Sequence, residues 1–89
     1  MKKILITGCS SGFGLDAAKY LAEKGHHVFA SMRNVNGKNA EKAAELRDFA
    51  HSKNLKLDVI DIDVTSDESV KAAAAKLPPM DVLINNAGL

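Results

Sequence analysis

The chain has one cysteine, Cys9, so no internal disulfide can form. That fits a reducing compartment, and a cytoplasmic location is expected. No apolar run approaches the roughly 20 residues needed to cross a bilayer. Ile4-Leu5-Ile6 follows Lys2 and Lys3 as a signal peptide might begin, but Thr7-Gly8 ends the run far short of a hydrophobic core region. Neither sign of charge is in excess: 12 Lys and Arg against 11 Asp and Glu leave a net charge of +1. Binding to nucleic acid or to a membrane surface is therefore not expected. There is no internal repeat, linker or low-complexity stretch. The 89 residues suffice for one domain, and such a chain buries only about 60–65% of its unfolded surface, a modest core.

What is present is an alternation of strand and helix signals. Residues 3–7 form a short apolar run ending in a loop rich in glycine and serine, a strand followed by a phosphate-type turn. Phe13, Ala17, Ala18, Leu21 and Ala22 then recur at helical spacing, and Gly25 stands where a left-handed C-terminal cap belongs. A first helix is expected over 12–24. Residues 28–30 read as a second strand, and Asn34 to Gly37 as a loop. Asn39 is the expected N-cap of a second helix whose apolar stripe is Ala43, Leu46, Phe49 and Ala50. A third strand is expected within 55–64, burying Leu57, Val59 or Ile60, Ile62 and Val64. Thr65 and Glu68 have the spacing of a capping box opening a third helix over 66–76, which Pro78-Pro79 ends. The apolar run 82–84 suggests a fourth strand buried on both faces, as central strands are. The order βαβαβαβ implies a parallel sheet with right-handed crossovers.

Between the first strand and first helix lies Thr7-Gly8-Cys9-Ser10-Ser11-Gly12-Phe13-Gly14. A glycine pattern in that context cradles phosphates. Gly8 permits the tight turn, Gly12 removes a side chain where backbone must approach a pyrophosphate, and Gly14 allows close helix packing. Helix N–H groups and dipole then attract the anion, and Ser10 and Ser11 can add hydroxyl donors. A P-loop is excluded, because Leu15-Asp16 stands where Lys and Ser or Thr should follow the last glycine.

The pattern Thr-Gly-x-x-x-Gly-x-Gly resembles the cofactor fingerprint of the short-chain dehydrogenase/reductase family. Asp63-Val64 is similar to the family's acidic-aliphatic pair beside the adenine ring. Asn85-Asn86-Ala87-Gly88 resembles its Asn-Asn-Ala-Gly motif after the fourth strand, and Arg33 just past the second strand matches as well. The resemblance spans essentially the whole chain. It implies a Rossmann-like α/β fold with strand order 3-2-1-4, one partial dinucleotide-binding domain over 1–89. The cofactor-binding residues it implies are Gly8, Ser10, Ser11, Gly12, Phe13, Gly14, Arg33, Asp63, Val64, Asn86, Ala87 and Gly88. Met32 occupies the position where NAD-preferring members carry aspartate, and Arg33 follows. A guanidinium binds a phosphate by two parallel hydrogen bonds, so NADP(H) is expected over NAD(H). The family's other basic position, just before the second glycine, is Ser11 here.

Other chemistry-bearing residues read as structural. Cys9 lies near a helix start, where thiols become reactive, but reads better as a small half-buried loop residue. His26 and His27 are adjacent, unlike a helical metal pair, and His51 stands alone. Asp58 and Asp61 read as strand-edge or solvated acids.

The catalysis that the resemblance implies needs a serine and a Tyr-x-x-x-Lys pair acting on a carbonyl or alcohol. The sole tyrosine, Tyr20, has Lys24 four residues on, but inside the first helix, where the two make a surface pair. The chain is thus expected to be a truncated, inactive front portion of an NADP(H)-dependent oxidoreductase with weakened cofactor affinity. The alternative is a noncatalytic nucleotide-binding or self-associating module. Truncation would leave the apolar fourth strand at the sheet edge with unpaired backbone groups, and self-association through it is expected.

Overall fold

The computed structural model describes residues 1–86; the sites assigned to Ala87 and Gly88 lie outside the described residues. The elements are β1 (Lys3–Ile6), α1 (Gly12–Glu23), β2 (His27–Met32), α2 (Ala40–Ser52), β3 (Leu57–Asp61), α3 (Asp67–Lys76) and β4 (Val82–Ile84). The four strands form one parallel sheet in the order β3-β2-β1-β4, as expected. β1 pairs from Lys3 to Ile6 with His27 to Ala30 on one side, and from Ile4 to Ile6 with Val82 to Ile84 on the other.

Side chains alternate across a strand, which divides the sheet into two unlike faces. Ile4, Ile6, Val28, Ala30, Met32 and Leu57 meet Ala18 and Ala22 of α1 and Ala43, Leu46 and Ala50 of α2 in one core. Full burial of side chains such as Ile6 and Leu46 contributes roughly 1.5–3 kcal/mol each. The chain must cross from β3 to the far side of β1, and right-handedness carries α3 over the opposite face. There α3 packs on β3 and buries Ala73.

Several local expectations change. Phe13 is 69% exposed, off the buried stripe of α1, which consists of Gly14, Ala18 and Ala22. The helix begins at Gly12, so only every third or fourth residue after Gly14 faces the sheet. At the other end Gly25 takes the left-handed φ of 93° as expected, just past the Lys24 C-cap. The third strand is shorter than expected, and Val64 lies beyond it, exposed. Ser66, not Thr65, caps α3: its hydroxyl accepts from the Ser69 N–H at 3.2 Å. β4 is an edge strand among the described residues, with Leu83 62% exposed. Val82 and Ile84 are half-buried and Leu83 is uncovered, so among the described residues the strand is not buried on both faces as expected.

Candidate functional site

The C-terminal ends of parallel strands are where open α/β sheets bind ligands, and a cleft of about 800 Å³ lies there. Its floor at one end is the glycine turn. Gly8 and Gly12 adopt φ of 70° and 62°, a region that only glycine enters freely. A Cβ at Gly12 would meet no atom of the chain within 4 Å, so it is backbone conformation, not crowding, that requires glycine. Ser11 precedes α1 without capping it, and the first turn carries no acidic residue. Among the described residues no side chain caps the N–H groups at the start of this 12-residue helix, an arrangement suited to an anion.

Gly14 works differently. A Cβ there would collide with the Gly8 carbonyl oxygen and lie 2.8 Å from Asn86 Nδ2. The same Asn86 amide donates to the Gly8 carbonyl at 3.1 Å, and the Asn86 N–H donates to Thr7 Oγ1 at 3.0 Å. The Thr7 hydroxyl donates to Asn85 Oδ1 at 3.1 Å, while the Thr7 N–H donates to the Ile84 carbonyl at 3.0 Å. The turn after β1 and the segment after β4 are therefore one hydrogen-bonded unit.

Cys9 is fully buried, not half-buried: its N–H donates to the Ser31 carbonyl at 2.8 Å and its thiol to the Ile6 carbonyl at 3.2 Å. Burial pushes its pKa up to about 12, against an opposing backbone hydrogen bond involving Ser31. A reactive thiol is the reverse case.

The other wall is the β2–α2 loop. Met32, 2% exposed, ends β2 just before it. Arg33, Asn34, Lys38, Asn39 and Lys42 line the cleft. Asn34 takes a left-handed φ of 52°, tolerated by asparagine. Its carbonyl accepts from the Gly37 and Asn39 N–H groups, both at 3.0 Å, and buried Val35 plugs the loop into the core. Asn39 occupies the cap position of α2 as expected, yet its side chain makes no cap bond; Nδ2 donates to the Arg33 carbonyl at 2.6 Å. The cap is given up to hold the loop.

Ile62, Asp63, Val64 and Thr65 close the third side. Asp63 Oδ1 accepts from the Thr65 hydroxyl at 2.6 Å and its N–H at 2.9 Å. These two bonds, the hydroxyl first, and the nearby Arg33 charge hold its carboxyl below the usual range, outweighing a small desolvation. Its own N–H donates to Ser69 Oγ at 2.9 Å.

Of the residues singled out in the sequence, Gly8, Ser10, Ser11, Arg33, Asp63, Val64 and Asn86 line this one cleft. Gly12 lines a smaller adjoining hollow, Gly14 lies beneath the turn, and Phe13 points to solvent. Sequence reasoning missed Asn34, Lys38, Asn39, Lys42, Ile62 and Thr65.

Tyr20 is 59% exposed with Lys24 Nζ 5.4 Å from its ring centre, the surface pair expected. Asp58, expected as a strand-edge or solvated acid, lies exposed on β3 at the sheet edge and meets His27 Nε2 at 2.7 Å, while His27 stacks on Phe29. Among the described residues no three acidic, Cys or His side chains gather as a metal site, and no helix is long and apolar enough to cross a membrane.

Comparison with known proteins agrees with this geometry. The family profile for short chain dehydrogenase matches residues 2–89. Human retinol dehydrogenase 8 is 39% identical over 92 residues, covering 99% of this chain and 28% of the relative. The chloroplastic short-chain dehydrogenase TIC 32 A of Brassica napus is 35% identical over 89 residues, covering 96% of this chain and 27% of the relative. Among solved structures, L-sorbose reductase from Gluconobacter frateurii complexed with NADPH and L-sorbose superposes with a TM-score of 0.80 at 30% identity, covering 99% of this chain and 34% of that one. The chain thus spans roughly a third or less of the length of the proteins it matches. It is, on its family match, its sheet order and its glycine turn together, a member of the short-chain dehydrogenase family.

Proposed function

We propose that this chain is the part of an NADP(H)-dependent short-chain dehydrogenase/reductase that grips the adenosine and pyrophosphate of the cofactor. The observation that carries the reading is the make-up of one cleft. It has the glycine turn and uncapped start of α1 at one end, and Arg33 beside buried Met32 at the other. A pyrophosphate suits the first and a ribose phosphate the second. No carboxylate follows Ala30 and Ser31 on β2 to repel that phosphate. The NADPH complex of the sorbose reductase supports the same cofactor. On this reading Ser10 and Ser11 donate to the pyrophosphate, Asp63 and Val64 flank the adenine, and Asn86 continues the wall toward the nicotinamide. Phe13 belongs to the turn as a neighbour rather than as a lining residue.

A bound nicotinamide dinucleotide supplies hydride transfer. The residues of this chain bind and orient it, and the acid–base group that acts on a carbonyl or alcohol lies outside them. A purified sample is expected to show no oxidoreductase turnover and weak cofactor affinity. Fluorescence titration with NADPH and NADH tests the assignment: NADPH binds more tightly, and Arg33→Ala removes about 1.5–3 kcal/mol of that preference, the usual contribution of a charged hydrogen bond. Equal affinities for the two cofactors refute it.

A second reading, self-association through β4, is favoured by the exposure of Leu83 at the open sheet edge. Sedimentation velocity checks it, a dimer being expected and a monomer at high concentration counting against it. A cytoplasmic setting is proposed from the single cysteine, with cell fractionation as its check, since one relative is named chloroplastic.

A further inference from the structure

The glycine turn carries no cation: between Lys3 and Lys19 there is neither lysine nor arginine. The fold brings one to it from another element. Lys42, on the first turn of α2, lines the large cleft that also holds Arg33, and equally the adjoining hollow of about 140 Å³ formed with Ser10, Ser11 and Lys19. It therefore borders both the cleft that Arg33 lines and the hollow at Ser10 and Ser11. Lys19 is otherwise engaged, its Nζ 5.0 Å from the centre of the Phe49 ring. Glu45 is the one carboxylate in the hollow. Among the described residues the Lys42 side chain makes no hydrogen bond, ion pair or ring contact, and the residue is exposed.

Its position is electrostatically unfavourable for the fold alone. A cation on the first turn of a helix opposes the macrodipole, where an acid would be stabilising. The chain keeps Lys42 there without any partner that offsets this cost, and with the ammonium beside a cleft suited to anions.

We infer that Lys42 is a specificity-determining residue, the second basic contact of the phosphate on the adenosine ribose. It supplies from α2 the positive charge that Ser11 does not supply from the turn. The inference rests on the NADP(H) reading but concerns a different residue, and the two fail differently.

The test is calorimetric titration of the wild-type chain, Arg33→Ala, Lys42→Met and Lys42→Arg with adenosine 2′,5′-bisphosphate and with adenosine 5′-phosphate. The wild type prefers the bisphosphate. Lys42→Met weakens bisphosphate binding about tenfold, as loss of a charged contact does, and leaves the monophosphate unchanged. Lys42→Arg retains the preference. The loss on Lys42→Met shrinks as salt is raised, since the site is open to screening. The melting temperature of Lys42→Met stays level or rises, which separates lost binding from lost folding. If Arg33→Ala loses the preference and Lys42→Met keeps it, this inference is overturned and the cofactor reading stands. If Lys42→Met weakens both nucleotides alike, Lys42 is not a ribose-phosphate contact and the inference fails. If the wild type binds the two nucleotides equally, or neither, both readings fall.

Discussion

Single residues in this site are constrained for different physical reasons, and substitution separates them. Gly14 is held by crowding: its missing side chain is the space into which the Gly8 carbonyl and Asn86 amide fit. Gly14→Ala is expected to destabilise the fold by about 1–3 kcal/mol, as overpacking does, read as a lower urea midpoint. Cys9 is constrained by burial, which favours the neutral thiol at neutral pH. Native protein should therefore react with a disulfide reagent at neutral pH far more slowly than unfolded protein, and rapid native labelling would contradict that. The same group sets an alkaline dependence. Its pKa is raised in the fold to about 12, so its contribution to stability is intact below the unfolded thiol's pKa and is lost as pH rises toward the folded one. The close packing at Gly14 was legible in the turn pattern, but the burial of Cys9 was not, since it sits among polar loop residues; it is β2 passing beside the turn, through Ser31, that buries it.

At the scale of elements, the junction from β3 to α3 is where sequence and structure differ by one residue. Thr65 and Glu68 have capping-box spacing, but Asp63 captures the Thr65 hydroxyl and Ser66 takes the cap. Two hydroxyl-bearing residues in succession let local bonding choose between registers that spacing treats alike. Ser66→Ala should cost about 1 kcal/mol, with Glu68→Gln nearly neutral, both measured by chemical unfolding. Asp63 gives this junction an acid dependence. Its carboxyl is held below the usual range, so its contribution is present above the unfolded value and is lost as pH falls through the folded one. The unfolding midpoint is therefore expected to drop on acidification below about pH 4, and to drop less in Asp63→Asn; identical acid limbs would refute this. The loop from β2 to α2 was legible only as a loop. Its anchoring by Val35 and the diversion of Asn39 from its cap depend on a left-handed Asn34, which no periodicity announces.

For the molecule as a whole, the two sheet faces are unequal. One is filled by α1 and α2, while on the other α3 covers β3 and leaves Leu83 on β4 exposed. Leu83→Lys places a charge on that open face and edge, and is expected to shift the sedimentation profile toward monomer with little loss of stability. Unchanged association would mean that β4 is not the contact. The βαβαβαβ order, the parallel sheet and the glycine turn were determined by the sequence itself, because hydrophobic period and turn chemistry are local properties that survive any tertiary arrangement. What covers β4, which residue caps α3, how deeply Cys9 is buried and that Lys42 stands beside Ser10 and Ser11 were decided only by the tertiary structure. Each depends on how segments far apart in the chain pass one another in space.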